Sequence, residues 1–213
     1  MKKCIAELIG TFALVFCGTG AIVINDVTNG GVSHVGIAIT FGLIVSCMIY
    51  AFGNISGAHI NPAVSIAFSV TDRFKKKDLW SYIIAQLLGA FLASGTLMFL
   101  FKEHENLGAT FPHGDWQQSF IIEVILTYFL MIVILFVSQN KSVKQFTGLS
   151  VGAVVMLEAM FAGPITGASM NPARSIAPAI VSGNISELWI YIVAPIIGAI
   201  MASLTWNLMK EKE

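Results

Sequence analysis

"SGAHINPAVS", residues 56–65, returns as "TGASMNPARS" at residues 166–175. Aligned without gaps, the two stretches share six of ten positions and lie 110 residues apart. They differ by one charge, because Val64 in the first corresponds to Arg174 in the second. Asparagine is a good helix N-cap, and proline is favoured in the first helical turn. Each Asn-Pro pair therefore predicts a helix start, at Asn61-Pro62-Ala63 and again at Asn171-Pro172-Ala173. The apolar segments that follow, roughly 61–69 and 171–182, are too short to cross a bilayer, which takes about 20 residues. They read as half-helices that begin inside a membrane.

The rest of the chain agrees with a membrane setting. Its 213 residues are 56% hydrophobic and 11% charged, and the mean hydropathy is +0.79. A soluble domain carries roughly 25% charged residues, so this chain lacks the polar side chains to coat a globule. The net charge of zero suggests no nucleic-acid partner. Cys4, Cys17 and Cys47 have neither metal spacing nor a paired framework, and read as small buried hydrophobes. Lys2-Lys3 before the first apolar run resembles a signal-peptide flank, but that run is too long for an h-region and five more follow. It is expected to stay as a first span.

Six runs are long enough to span: 4–25, 34–53, 79–101, 117–138, 146–163 and 187–208. Six spans put both termini on one side. That side holds ten basic residues (Lys2, Lys3, Arg73, Lys75, Lys76, Lys77, Lys141, Lys144, Lys210 and Lys212) and the other holds only Lys102. The asymmetry predicts cytoplasmic termini. "AELIGTF" and "IIEVILTY" share Glu-x-x-x-Thr, with Glu7 and Glu123 in matching places. The chain thus divides into halves, about 1–105 and 106–213, within one domain. Three spans per half mean that the second half enters from the opposite face. The expected fold is all-α, an inverted repeat of three spans plus one re-entrant half-helix.

Backbone off the helix survives at membrane depth only where protein buries it or where it lines a watery cavity. The lead-ins Gly57-Ala58-His59-Ile60 and Gly167-Ala168-Ser169-Met170 are expected to run extended, their carbonyls forming a ladder of acceptors along a lumen. Gly57 and Gly167 are expected to allow close backbone approach. The half-helices bring positive dipole ends to the midplane, and Asn61 and Asn171 offer amide donors there. Water or a hydroxyl can donate to the ladder and accept from the asparagines. A cation meets two positive helix ends and is repelled. Glu7 and Glu123, both within spans, are expected to accept hydrogen bonds from the re-entrant N–H groups, which need partners. Passive permeation needs no covalent chemistry, and no nucleophile–base pair or metal spacing points to an enzyme or a cofactor.

With these residues in place, the chain resembles the major intrinsic proteins, the aquaporin and aquaglyceroporin family, over nearly its whole length. "MFAGPITGASMNPARS" at 160–175 and "WIYIVAPIIGAI" at 189–200 are similar to the nodulin-like branch and its bacterial relatives. The resemblance implies a right-handed bundle of six helices, one pore per protomer and a homotetramer. It also implies a selectivity filter beyond the Asn-Pro-Ala pair, which motif alignment places at Phe41, Ala159, Ala168 and Arg174. Water-selective members resemble Phe, His, Cys or Thr, and Arg at these places. Two alanines imply a wider aperture, with Phe41 as an apolar wall and Arg174 as donor and positive barrier. The implied permeants are water and small uncharged solutes, such as glycerol and metalloid hydroxides including arsenous and boric acid. Ser175 and Ala179 resemble water-channel positions, whereas Tyr191-Ile192 resembles the solute-conducting side. A strictly water-selective channel therefore remains an alternative.

Other residues read more plainly. Arg174 can also tether loop carbonyls. Glu158 is expected to turn from the pore axis and pair with a neighbouring helix or protomer. His59 faces the terminal-side vestibule, while His34, His104 and His113 read as solvated or packed. The "RFKKK" run at 73–77 reads as a topology determinant, with anionic lipid contact second. Loop 102–116 shows mixed charges and no recognisable site. A secondary transporter also uses inverted repeats with broken helices, but the midplane groups here are neutral asparagines. A purely adhesive junction protein is a third reading. With no organelle signal, the expected location is the cell membrane.

Overall fold

A computed structural model describes residues 1–210 of the chain. Lys212, counted above among the basic residues, lies outside the described residues. Eight α-helices follow in order: α1 (Lys2–Val27), α2 (Ser33–Ser56), α3 (Pro62–Val70), α4 (Leu79–Leu100), α5 (Trp116–Gln139), α6 (Thr147–Thr166), α7 (Pro172–Ser182) and α8 (Ile190–Met209). Six are long and apolar enough to cross a membrane; α3 and α7 are the two half-helices. The architecture is that of a multi-pass membrane protein, all-α, with six spans and two re-entrant half-helices.

Most expected spans lie within a few residues of the helices, and the exceptions have local causes. Helix α6 runs on to Thr166 although Pro164 lies inside it. Proline lacks the N–H that would bond to the carbonyl four residues back. That carbonyl, on Met160, meets the Nε2 of His34 at 2.7 Å, so the freed acceptor is satisfied and the helix continues. The last helix starts at Ile190 rather than at 187. Leu188, Ile190 and Tyr191 first make three-residue turns onto Ile185, Glu187 and Leu188.

Packing follows the repeat. Helix α1 lies along α4, α5 lies along α8, and α2 against α6 joins the halves. Small residues set these distances. A Cβ on Gly89 would strike the Leu8 carbonyl of α1, and one on Gly198 would strike the Val124 carbonyl of α5. Gly42 and Gly152 do the same for α2 and α6, each facing the other's carbonyl. Small residues that let backbones touch are the usual means of helix association where lipid removes the hydrophobic drive. Exposed Leu, Ile and Phe side chains cover the outside. The buried polar groups instead gather along the two re-entrant segments.

Candidate functional site

Both re-entrant segments begin at a helix stop. Gly57 (φ +91°) and Gly167 (φ +80°) are left-handed C-caps that end α2 and α6, their N–H groups bonding back to Gly53 and Gly163. The two glycines terminate helices, and Gly167 also makes the close approach expected of it, onto Thr110. The lead-ins are not extended either. Ala58 (φ 46°), Ile60 (φ 44°), Ala168 (φ 42°) and Met170 (φ 54°) are left-handed. Such residues cost about 1–3 kcal/mol each and persist only where surroundings impose them.

The carboxylates supply that constraint. Glu7 accepts from the N–H of His59 (2.9 Å) and Ile60 (2.7 Å), from Ser56 Oγ (2.7 Å) and from Gln86 Nε2 (2.8 Å). Glu123 accepts from the N–H of Ser169 (2.8 Å) and Met170 (2.9 Å) and from Thr166 Oγ1 (2.8 Å). Alternating backbone handedness turns successive N–H groups to one side, forming a concave nest for an anion. Both carboxylates are fully buried.

At the centre, the half-helix tips are tied to each other. Asn61 Oδ1 caps Ala63 N–H (2.9 Å), and Asn171 Oδ1 caps Ala173 N–H (3.0 Å). Asn61 Nδ2 donates to the Met170 carbonyl (2.8 Å), and Asn171 Nδ2 donates to the Ile60 carbonyl (2.9 Å). Each amide thus spends its oxygen on its own helix and one N–H on the opposite segment. Its second N–H has no protein partner among the described residues. Pro62, Ala63, Pro172 and Ala173 are buried in the first turns behind these amides.

One cavity of about 100 Å³ gathers most of the expected residues. Phe41, Ala159, Ala168 and Arg174 all line it, as do Asn61 and Asn171. Gly57, Ala58, His59, Ser169 and Met170 from the expected ladder line it as well, and so does Ile60. Gly167 does not; it packs on Thr110. The rest of the lining is largely apolar, with Leu14, Val45, Ile49, Leu130, Ile134, Val151 and Val155. A permeant here meets both polar groups and apolar side chains. At the end nearer the termini the cavity opens into a vestibule of about 800 Å³.

Arg174 is 1% exposed, lines the cavity and tethers a loop carbonyl. Its Nη1 donates to the Gly108 carbonyl (2.7 Å), and its guanidinium lies 5.0 Å from the Phe41 ring. Nε has no partner among the described residues. The loop that carries Gly108 had shown no recognisable site in sequence, because a backbone carbonyl carries no side-chain signal. Thr110 of the same loop donates to Ser175, which bonds Ser169. On the other side His59 Nδ1 meets Ser65 Oγ (3.0 Å), while its ring packs among Phe68, Phe74 and Tyr82.

Two further readings change. Arg73 is more than a topology charge: it donates to the Leu135 carbonyl and Ser138 Oγ and lies over Phe68 and Trp206. Glu158 turns from the cavity, as expected, but its Oε2 has no hydrogen-bond partner among the described residues. Of the three histidines read as solvated or packed, His34 and His104 hold specific partners.

Comparison with known proteins agrees with this geometry. An aquaporin NIP1-1 from Zea mays is 47% identical over 99% of this chain and 75% of its own length. Nodulin-26 from Glycine max is 43% identical over 99% of this chain and 78% of its own. The X-ray structure of the aquaglyceroporin from Plasmodium falciparum superposes with a TM-score of 0.88 at 27% identity, covering 98% of this chain and 96% of that one. The family model described as "Major intrinsic protein" matches residues 1–206, a stretch that holds both Asn-Pro-Ala turns and both buried carboxylates. The chain belongs to the major intrinsic protein family, within its nodulin-like branch.

Proposed function

We propose that this protein is a passive channel for water and small uncharged solutes, glycerol and metalloid hydroxides such as arsenous acid among them, and that it excludes protons and ions. The observation that carries the reading is the single cavity shared by both repeats. It brings together two asparagine amides, two half-helix N-termini and Arg174 with a set of apolar side chains. A neutral polyol suits that surface, its hydroxyls on the polar groups and its carbons against the apolar side chains. Each permeant oxygen can accept an amide N–H and donate to a carbonyl. A cation would face two positive helix ends and a guanidinium, and would lose hydration without anionic compensation.

Size selection belongs in this reading to Phe41, Ala159, Ala168 and Arg174. Two of the four side chains are single methyl groups, so the aperture admits molecules larger than water. We place the termini in the cytoplasm, because the basic residues gather on their face. The assembly is a homotetramer in the cell membrane, each protomer with its own pore. The carboxylates Glu7 and Glu123 hold the re-entrant backbone and do not touch permeants. A secondary transporter would place a coupling carboxylate or ion site at the midplane, where this chain has Asn61 and Asn171.

Stopped-flow light scattering of proteoliposomes tests the function. Water, glycerol, urea and arsenous acid are compared at equal protein density, with no ion or proton gradient. Water, glycerol and arsenous acid should all equilibrate faster than in empty liposomes. Solute flux that requires an imposed ion gradient would replace the channel with a coupled transporter. Flux of water alone would leave the strictly water-selective alternative.

A further inference from the structure

The filter arginine has one hydrogen-bond acceptor among the described residues, the carbonyl of Gly108. What fixes that carbonyl fixes the filter. Gly108 lies in the connection between α4 and α5, on the face away from the termini. It is held at φ +70°, with its α-carbon pressed onto Thr19 of α1, where a Cβ would come within 2.8 Å of the threonine. Leu107 beside it is buried and left-handed, at φ 49°. A strained turn of this kind needs an external clamp.

The clamp is an imidazole. Nδ1 of His104 accepts the N–H of Leu107 at 3.0 Å and the N–H of Asn106 at 3.4 Å. Its Nε2 meets Asp26 Oδ2, at the end of α1, at 3.2 Å. A nitrogen that accepts two amide protons carries none itself, so the ring is the neutral tautomer with its proton on Nε2, donated to Asp26. Protonation would set an N–H on Nδ1 directly against the two backbone N–H groups. The same proton would strengthen the pairing with Asp26. The ring would then stay on α1 and release the turn. The charged groups around it are Asp26 on α1 and Lys102, Glu103 and Glu105 in the connection itself. The α7–α8 connection adds Asn184, which donates to the Glu105 carbonyl and to Asn106 Oδ1 and does not titrate.

We infer that His104 is a positioning residue for the selectivity filter: its neutral ring clamps the turn that presents Gly108 to Arg174, and its protonation from the face opposite the termini loosens Arg174 and changes which solutes pass. The inference rests on the channel reading above and adds a pH-dependent specificity to it. Freed from Gly108, the guanidinium keeps only its contact with the Phe41 ring and can swing across the aperture. Glycerol, the larger permeant, loses more than water does.

The test measures the glycerol-to-water permeability ratio in proteoliposomes equilibrated at the same pH inside and outside, between about pH 5 and about pH 8, where imidazoles titrate. The parent ratio should fall about 2- to 10-fold toward acid, the equilibrium factor of one net hydrogen bond. His104→Ala should show the acid-type ratio at every pH. His104→Asn should restore the parent's alkaline ratio and abolish the pH dependence, because an asparagine oxygen accepts the same N–H groups and does not titrate. A flat parent profile would overturn the inference, as would a His104→Asn variant that keeps the parent's profile, since His34, His59 and His113 are unchanged in it. Amide exchange across residues 104–110, read at one pH by mass spectrometry, gives a second test without transport. Exchange should be faster in His104→Ala than in the parent, with His104→Asn close to the parent. Equal protection in all three would also overturn the inference. A parent that passes neither water nor glycerol would sink the channel reading instead, and the exchange result would still decide the clamp.

Discussion

Replacing each buried carboxylate by its amide should test the two halves of the molecule in the same way. Glu123→Gln keeps the shape and one accepting oxygen. That oxygen can still take Thr166 Oγ1 and the Ser169 N–H, but the new amide nitrogen then confronts the Met170 N–H, formerly 2.9 Å from Oε2. One buried donor loses its partner, at a cost of about 1–3 kcal/mol. For a chain of this size that corresponds to an unfolding temperature roughly 2–12 °C lower. Glu7→Gln creates the same conflict at the Ile60 N–H, formerly 2.7 Å from Oε2, and a second one at Gln86 Nε2, which donates to the same oxygen. Gln86 donates Nε2 to Glu7, and its own Oε1 has no partner among the described residues. Rotating the Gln86 amide would offer that oxygen to the amide nitrogen introduced at position 7, with Ser65 Oγ able to reverse its role as well. That rotation relieves the conflict at Gln86 and leaves the one at Ile60, so Glu7→Gln should cost about as much as Glu123→Gln, about 1–3 kcal/mol. Glu123→Ala removes three acceptor contacts and should cost about 3–6 kcal/mol, enough to prevent recovery of folded protein. The assay is thermal unfolding of purified protein in detergent, followed by tryptophan fluorescence, with water flux in liposomes as the functional control. A Glu7→Gln protein with the parent's unfolding temperature would refute the role given to the Ile60 N–H. A Glu123→Ala protein with the parent's unfolding temperature would refute the role of the carboxylate altogether.

Other perturbations give independent outcomes. Asn171→Leu removes the cap on α7 and the bond to the Ile60 carbonyl; the cap alone is worth about 0.5–2 kcal/mol, and normal water flux through a well-folded variant would contradict the midplane role. Arg174→Val should keep or raise neutral flux while increasing proton or small-cation leakage, and a proton conductance equal to the parent's would remove Arg174 from the barrier. Gly198→Leu should abolish assembly of the bundle, because its side chain must displace the Val124 carbonyl of α5; recovery of a folded protein at parental yield would show that α8 can move away.

Much of this fold was legible in the sequence because its signals are local. Asn-Pro marks a helix start wherever it occurs, and the copies at 61 and 171 sit where α3 and α7 begin. Apolar run length gave the six spans, and the matching Glu-x-x-x-Thr elements pointed to Glu7 and Glu123. What escaped depends on partners distant in the chain. The bond from Asn61 to Met170 spans 109 residues, and that from Arg174 to Gly108 spans 66. The latter ends on a backbone carbonyl that any residue type could supply. Arg73 read as a topology determinant because its neighbours in sequence are lysines, whereas its contacts lie on α3, α5 and α8. The left-handed Ala58 and Ile60 could not be read from propensity, since neither residue favours that conformation. Tertiary hydrogen bonds to Glu7 impose it.

The central claim is that a wide filter at Phe41, Ala159, Ala168 and Arg174 lets small neutral solutes through a water-conducting lumen. The double change Ala159→His with Ala168→Cys refills that aperture with the bulk of a water-selective filter. Stopped-flow permeabilities for water, glycerol and arsenous acid, compared between parent and variant at equal protein density, test it most directly. A steric filter discriminates by clash, which rises steeply once the solute exceeds the opening. The account predicts parent flux of all three above empty liposomes, and a variant that still passes water while glycerol and arsenous acid fall to the empty-liposome level. A variant that passes both solutes as fast as the parent does would contradict it.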